Sequence, residues 1–250
     1  MTFKASRFAI FGATSEIASA VARRLAEQGA SLVLVGRDKA DLDASGRDLK
    51  VRGAHEVHIR EADFSQTRDL TAVVDAVWQD LGRVDAAFVA FGVMPDQIEA
   101  EGNQRVAEQS LIVNFVSPVL LCNALARKFA VQKSGTIAVI TSVAGDRGRQ
   151  SNFMYGAAKG GLQRYVEGLR HRLFAKNVDV LDIRPGMVRT KMTAHLEQSG
   201  LLWADADQVA TDIVLALGKR RRVVYTPWFW RFVMLGVRNL PSSLFNRSSL

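Results

Sequence analysis

Tyr155 and Lys159 stand four residues apart in the run Tyr155-Gly156-Ala157-Ala158-Lys159. On a helix that spacing projects the phenol and the ammonium from one face. A tyrosine ordinarily titrates near ~10, too high for ready proton exchange at neutral pH. An adjacent ammonium favours the phenolate and so pulls that value towards a useful range, which makes the pair a candidate general acid/base. The same two residue types meet on many helices, so the pair needs company. Ser142, thirteen residues upstream, closes the apolar run Thr136–Thr141. In an open α/β sheet, ligands bind beyond the carboxyl ends of the strands. Ser142 should therefore reach that edge with a hydroxyl available to a substrate oxygen. Downstream, Val180–Ile183 runs into Pro185-Gly186, so three predicted elements deliver polar groups to one edge.

The elements that must position these groups alternate along the chain. Short β-type runs fall at Phe8–Phe11, Ser31–Val35, Val57–Ile59, Val84–Ala90, Thr136–Thr141 and Val178–Ile183. Amphipathic stretches fall at Ile17–Gln28, Lys39–Arg52, Thr67–Leu81, Gln104–Phe129 and Tyr155–Lys176. This alternation predicts a parallel sheet with helices on both faces. Gly29, Gly53 and Gly82 follow helical stretches, where left-handed caps belong. The expected fold is α/β: a doubly wound, Rossmann-like parallel sheet in three αβα layers, one domain over residues 1–226 with an aromatic and basic extension over 227–250.

The first predicted strand ends in Phe11-Gly12-Ala13-Thr14-Ser15-Glu16-Ile17-Ala18. A strand, a glycine turn and a helix start present backbone N–H groups where a pyrophosphate would lie. Gly12 supplies the tight turn, while Thr14 and Ser15 can cap the helix or bond phosphate. The second strand ends in Gly36-Arg37-Asp38. An acidic residue at that strand end would select NAD, whereas an arginine just beyond can hold the 2′-phosphate of NADP. Gly36 followed by Arg37 favours NADP(H) over NAD(H), with Asp38 read as the start of the next helix.

Composition excludes other classes. The 250 residues are 48% hydrophobic and 23% charged, a globular balance. Cys122 is the single cysteine and cannot form an intramolecular disulfide, so it reads as a small buried residue in a reducing compartment. Met1 to Arg7 carries no signal-peptide core, which points to the cytoplasm. His55, His58, His171 and His195 are scattered, so no metal site is expected. The net charge is +8, but the final 32 residues carry +7 of it and no acidic residue follows Asp212. That excess adjoins Trp228, Phe229, Trp230 and Phe232, a pairing that suits a membrane surface better than nucleic acid. Pro227–Leu240 reads as a helix with Pro227 in its first turn and Pro241 ending it. Roughly 14 residues at ~1.5 Å rise span ~20 Å, short of a ~30 Å hydrocarbon core. Such a helix lies in an interface, packs on a partner subunit, or joins the core.

With Asp63 after the third strand, Ala90-Phe91-Gly92 at the fourth, Asn114 in the central helix, then Ser142, Tyr155, Lys159 and Pro185-Gly186, the chain resembles the short-chain dehydrogenase/reductase family over nearly its whole length. The resemblance implies that Tyr155 is the general acid/base and that Ser142 positions the carbonyl. It implies that Lys159 lowers the tyrosine pKa and binds the nicotinamide ribose, and that Asn114 holds a water relay behind it. Gly12, Thr14, Ser15, Ile17, Arg37, Asp63, Phe64, Ala90, Gly92, Pro185, Gly186, Val188 and Thr190 would line the cofactor, with Asp63 on adenine and Val188 and Thr190 on the carboxamide. Val143 and His195 would touch substrate. Family members form dimers or tetramers through two central helices, and Gly156, Ala157, Ala158, Gly160 and Gly161 would permit close approach there.

Two departures stand out. Glu16 and Ala18 replace family glycines, so Glu16 must turn away from the pyrophosphate. Phe91 sits within Ala90-Phe91-Gly92 where the family has Asn-Ala-Gly, and one side-chain hydrogen bond near the cofactor is lost. The opening Gly12–Ala18 and the run Val224–Met234 are also similar to reductases of polyprenyl-phosphate-linked keto-pentoses, which implies a lipid-linked carbonyl substrate. Steroid or acyl ketones are the rival substrates, and a non-catalytic NADP-sensing protein is the rival class.

Overall fold

The computed structural model describes Phe3 and residues 5–247. Met1, Thr2 and Lys4 of the N-terminal stretch, and the last three residues of the 227–250 extension, lie outside them. In chain order the elements are β1 (Arg7–Phe11), α1 (Glu16–Ala26), β2 (Ser31–Gly36), α2 (Lys39–Val51), β3 (Glu56–Glu61), α3 (Leu70–Leu81), β4 (Ala86–Val89), α4 (Gln97–Gly102) and α5 (Gln104–Leu111). A π-helical turn (Ile112–Val116) leads into α6 (Ser117–Gln132), β5 (Thr136–Ile140), α7 (Phe153–Phe174), β6 (Asp179–Pro185), β7 (Met187–Arg189), β8 (Trp203–Asp205), α8 (Ala206–Gly218), β9 (Val223–Thr226), α9 (Trp230–Asn239) and α10 (Ser242–Phe245).

Seven strands form one sheet in the order β3-β2-β1-β4-β5-β6-β9. Every pairing is parallel, with Arg7 opposite Ser31, Phe8 opposite Ala86 and Ala86 opposite Thr136. The order reverses between β1 and β4, the crevice where dinucleotides bind in such sheets. Strands covered on both faces read as unbroken apolar runs, and all six residues of β2 are buried. One face is packed by α1, α2 and α8 through residues such as Val21, Leu25, Leu42, Leu49 and Ile213. The other is packed by α3, α6 and α7 through Val74, Leu121, Leu125, Leu162 and Val166. This is the expected three-layer, doubly wound arrangement.

Gln104–Gln132 is long and apolar enough to span a bilayer by length and composition, yet half of its apolar window is buried. It is a core helix, with Leu121, Cys122, Leu125 and Phe129 wholly enclosed. The tail differs from its expected form. Pro227 precedes a hydrogen-bonded turn, with Trp230 N–H donating to the Pro227 carbonyl, and α9 begins only at Trp230.

Candidate active site

Ser142 follows β5 in extended backbone and its Oγ accepts the Ala144 N–H at 3.1 Å, capping a 3₁₀ turn over Val143–Gly145. Helix α7 lies directly against that turn. A Cβ on Gly145 would stand 2.7 Å from the Gly160 nitrogen, and one on Gly156 would stand 3.0 Å from the Ala144 carbonyl oxygen. Two of the small residues expected at a subunit contact thus also close on this chain's own turn. Gly156 and Gly160 meet the turn, Gly161 faces the Phe115 ring and Ala158 is buried. Only Ala157 of that set stays exposed. The close approach brings the Tyr155 hydroxyl into hydrogen-bonding contact with Ser142. Gln163, one turn beyond Lys159 and buried, donates to the Ser142 carbonyl at 2.7 Å. It clamps the turn to the helix.

Electrostatics here depart from the sequence expectation. Burial pushes the Tyr155 phenol up to about 12, against the lowering pull of the Ser142 hydrogen bond and the Arg149 guanidinium. Lys159 is not among the groups that lower it. Its ammonium lies over the Tyr155 ring, 5.7 Å from the centroid, and donates to the Ile140 carbonyl at 3.3 Å. Burial also drops Lys159 to about 8, so at neutral pH it is still mostly the ammonium.

Asn114 sits in the π-helical turn, a feature often found at functional sites. Its Nδ2 donates to the Val93 carbonyl at 2.7 Å and to the Ser110 carbonyl at 3.0 Å, and its Oδ1 accepts the Val93 N–H at 3.1 Å. A Cβ on Gly92 would stand 2.9 Å from Asn114 Oδ1 and 3.4 Å from Lys159 Nζ. Only glycine lets the β4 end pass between these two groups. Ala90, buried, donates its N–H to the Phe11 carbonyl across the crevice.

On the nucleotide side, Gly12 adopts φ +82°, and a Cβ there would stand 2.8 Å from Phe91 Cβ and N. Ser15 caps α1, its Oγ accepting the Ala18 N–H at 3.3 Å, and Thr14 is exposed beside it. Ile17 is half-buried in the first turn. Glu16 does turn from the turn's amides, since its carboxylate accepts the Lys191 N–H at 2.5 Å and so ties α1 to the segment after β7. Asp38 caps α2 by accepting the Asp41 N–H, while Arg37 is exposed and carries no ion pair among the described residues. Asp63 accepts the Ser65 N–H and hydroxyl at the exposed end of β3. Phe64 stacks on Phe91 with centroids 4.1 Å apart. The polar side chain is lost at Ala90, while Phe91 adds this packing where the family has alanine.

The model of the family described as short chain dehydrogenase matches residues 7–200. The chain belongs to the short-chain dehydrogenase family. An uncharacterised oxidoreductase of Mycobacterium tuberculosis is 34% identical over 238 residues, 95% of each chain. A bovine 3-oxoacyl-[acyl-carrier-protein] reductase is 28% identical over 76% of this chain and 78% of its own. A short-chain dehydrogenase/reductase from Mycobacterium ulcerans superposes with a TM-score of 0.81 at 22% identity, covering 90% of this chain and 89% of that one, a likeness of fold. The protein is accordingly an NAD(P)-dependent oxidoreductase.

Beyond Pro185, this short-chain dehydrogenase adds a wall the sequence did not reveal. The Trp230 indole lies on Gly186, so close that a Cβ there would fall 1.9 Å from Nε1. Trp230 and Met234 are buried with Val143, and Met187, Tyr225, Phe229 and Val237 pack around them. One side of α9 thus closes the site beside Val143, while Trp228 and Phe232 stay exposed. Val188 is buried, and its carbonyl accepts the Thr193 hydroxyl at 2.6 Å, which orders Thr190 by a capping box. His195 is exposed and has no hydrogen-bond or ion-pair partner among the described residues.

A buried polar cluster was also missed. Arg184 binds Asp182 and Asp146, and Tyr225 bridges both partners, donating to Asp146 at 2.8 Å while accepting from Arg184 at 2.9 Å. Thr141 donates to Asp182 at 2.6 Å. Asp182 and Arg184 in an otherwise apolar strand were the available signal, because charges there must be paired. The cluster pins the segment after Ser142 to β6 and β9. Arg147 adds a second tie, donating to the Val237 and Leu240 carbonyls at 2.5 and 2.7 Å, where it caps α9.

Proposed function

We propose that the protein is an NADPH-dependent reductase that converts a ketone to a secondary alcohol. The observation that carries it is the Tyr155 hydroxyl in hydrogen-bonding contact with Ser142, with Lys159 Nζ over the same ring. A tyrosine is protonated at neutral pH and can serve as the proton donor that reduction needs. Ser142 would hold the ketone oxygen, and Tyr155 would pass its proton to that oxygen. Ser142, Arg149 and the ammonium of Lys159 would then steady the tyrosinate, and solvent would return the proton. Asn114 would act by position, fixing Val93 and the close passage of Gly92 against Lys159.

The residues present suit a nicotinamide dinucleotide, which supplies hydride from its C4 when bound. Gly12 offers a cradle that a Cβ would fill, and Ser15 opens a helix N-terminus beneath it. Thr14, Ile17, Asp63, Phe64, Ala90, Pro185, Gly186, Val188 and Thr190 line the remainder. Asp38 is occupied as a cap and Arg37 has no ion pair among the described residues, which favours the 2′-phosphate of NADP. The apolar wall of Val143, Trp230 and Met234 suits a hydrophobic or lipid-linked ketone, and the exposed Trp228, Phe232 and Leu235 beside basic residues suit contact with a membrane surface. We read residues 227–250 as an extension that completes the site of the 1–226 domain, in a homodimer or homotetramer working in the cytoplasm. The acyl-ketone alternative draws on the bovine 3-oxoacyl relative.

Tyr155→Phe should lose turnover by about 10²- to 10⁴-fold while still binding NADPH. An unchanged output from that variant would instead favour a nucleotide sensor. NADPH should bind more tightly than NADH, with Arg37→Ala removing most of the difference; tighter NADH binding would overturn the nucleotide assignment. Vesicle flotation should weaken on truncation after Thr226, and equal flotation of both chains would end the membrane reading.

A further inference from the structure

Three arginines surround the segment that links Ser142 to α7. Arg147 is engaged by two carbonyls and by the Phe245 ring. Arg184 is engaged by two carboxylates and a phenol. Arg149 differs. It is half-buried, and its Nε is sealed from solvent with no hydrogen-bond partner among the described residues. It forms no ion pair among the described residues either, and Asp146, the nearest acid in sequence, is held by Arg184 and Tyr225. Asn152, three residues on, has a buried Oδ1 that is likewise unpartnered. It donates its backbone N–H to the Arg149 carbonyl at 3.2 Å, so one turn carries both side chains, and Tyr155 follows one helical turn later.

Buried polar groups without partners cost free energy unless a ligand satisfies them. A guanidinium left without a carboxylate is suited to a phosphate or carboxylate, and an amide oxygen is suited to a hydroxyl. We propose that Arg149 and Asn152 form a substrate subsite beside Tyr155, so that the ketone this enzyme reduces is anionic and hydroxylated, with a phosphate or carboxylate on Arg149 and a hydroxyl on Asn152. The inference rests on the reductase reading and narrows its substrate class. The guanidinium is close enough to the Tyr155 phenol to act on it electrostatically.

The test begins with inorganic phosphate titrated calorimetrically into the NADPH-saturated full chain, so that the nucleotide's own phosphate contacts are filled. Arg149→Met should weaken binding about tenfold or more, and Arg149→Lys should restore part of it. Unchanged phosphate affinity in a folded Arg149→Met protein, judged by its thermal midpoint, overturns the proposal. Geranyl phosphate forms a second arm. Tighter binding than phosphate assigns the anion to a lipid headgroup, equal binding assigns it to a soluble phosphate, and either supports the site provided Arg149→Met abolishes it. The third arm compares NADPH oxidation with dihydroxyacetone phosphate and with dihydroxyacetone. The wild type should prefer the phosphorylated ketone, and the ratio of kcat/KM values should collapse towards one in Arg149→Met. A ratio unaltered by the substitution counts against the subsite. The titration needs no turnover, so it decides even where neither triose is reduced. Tyr155→Phe that binds phosphate but retains turnover would sink the reductase reading alone.

Discussion

Replacing Gly186 by alanine should undock the C-terminal helix. Gly186 has no left-handed φ to forbid a side chain, and the three atoms nearest to a Cβ built there all belong to Trp230, at 1.9, 2.2 and 2.3 Å. Real contacts of that kind do not fall much below ~3 Å, so the indole must retreat by about 1 Å or more. It has no slack, since Trp230 is 4% exposed, packs with Val143 and Met234, and donates through Nε1 to the Leu202 carbonyl at 3.3 Å. Expelling it forfeits what Trp230→Ala forfeits, about 3–5 kcal/mol for a buried aromatic. The double variant should then cost no more than Trp230→Ala alone, because the clash has lost its partner. Additive effects would total roughly 6–10 kcal/mol, so the expected coupling is about 3–5 kcal/mol. Urea unfolding of the four proteins by circular dichroism, compared at equal m-values, measures it. A cycle that closes within about 0.5 kcal/mol would refute the packing of α9 on the β6 end.

Asp146→Ala should destabilise the fold by about 1–3 kcal/mol, since Asp182 still pairs the Arg184 guanidinium while the Tyr225 hydroxyl and one guanidinium nitrogen lose their acceptor; an unmoved urea midpoint would show the cluster to be dispensable. Lys159 titrates at about 8 in the native state against 10.5 for an unperturbed lysine, so between those values the unfolded chain holds the extra proton. Native stability attributable to this group therefore rises with pH across that window, by up to ~1.4 kcal/mol per unit, and its full penalty is present below about 8. Subtracting Lys159→Met stabilities from wild type between pH 7 and 10 should expose the rise, and parallel curves would contradict it. Cys122 is wholly buried and its thiol is pushed up to about 12, so it should resist maleimide in the native state and react on unfolding; rapid native labelling would contradict its burial.

Much of the architecture was legible because parallel strands and amphipathic helices are written in local periodicity. The runs Ser31–Val35 and Thr136–Thr141 became β2 and β5, and the spacing of Ser142, Tyr155 and Lys159 placed them together once those strands lay parallel. The cap role of Asp38 and the diversion of Glu16 were also readable, the first from its position before a helix and the second from the charge conflict beside a phosphate site. Two glycines of α7, Gly156 and Gly160, also have a role inside the chain that the sequence did not indicate. A small residue signals close approach but does not name the neighbour, and here the neighbour is the turn after Ser142.

The sequence by itself determined the sheet, the order of its elements and the edge at which the polar groups would gather, since each follows from residues near one another in the chain. Only the tertiary structure decided that burial raises the Tyr155 phenol, that Trp230 covers Gly186, and that the buried Arg149 Nε has no partner among the described residues. Desolvation and pairing depend on every group packed around a site, including residues some 45 to 90 positions away, and no local pattern encodes that sum.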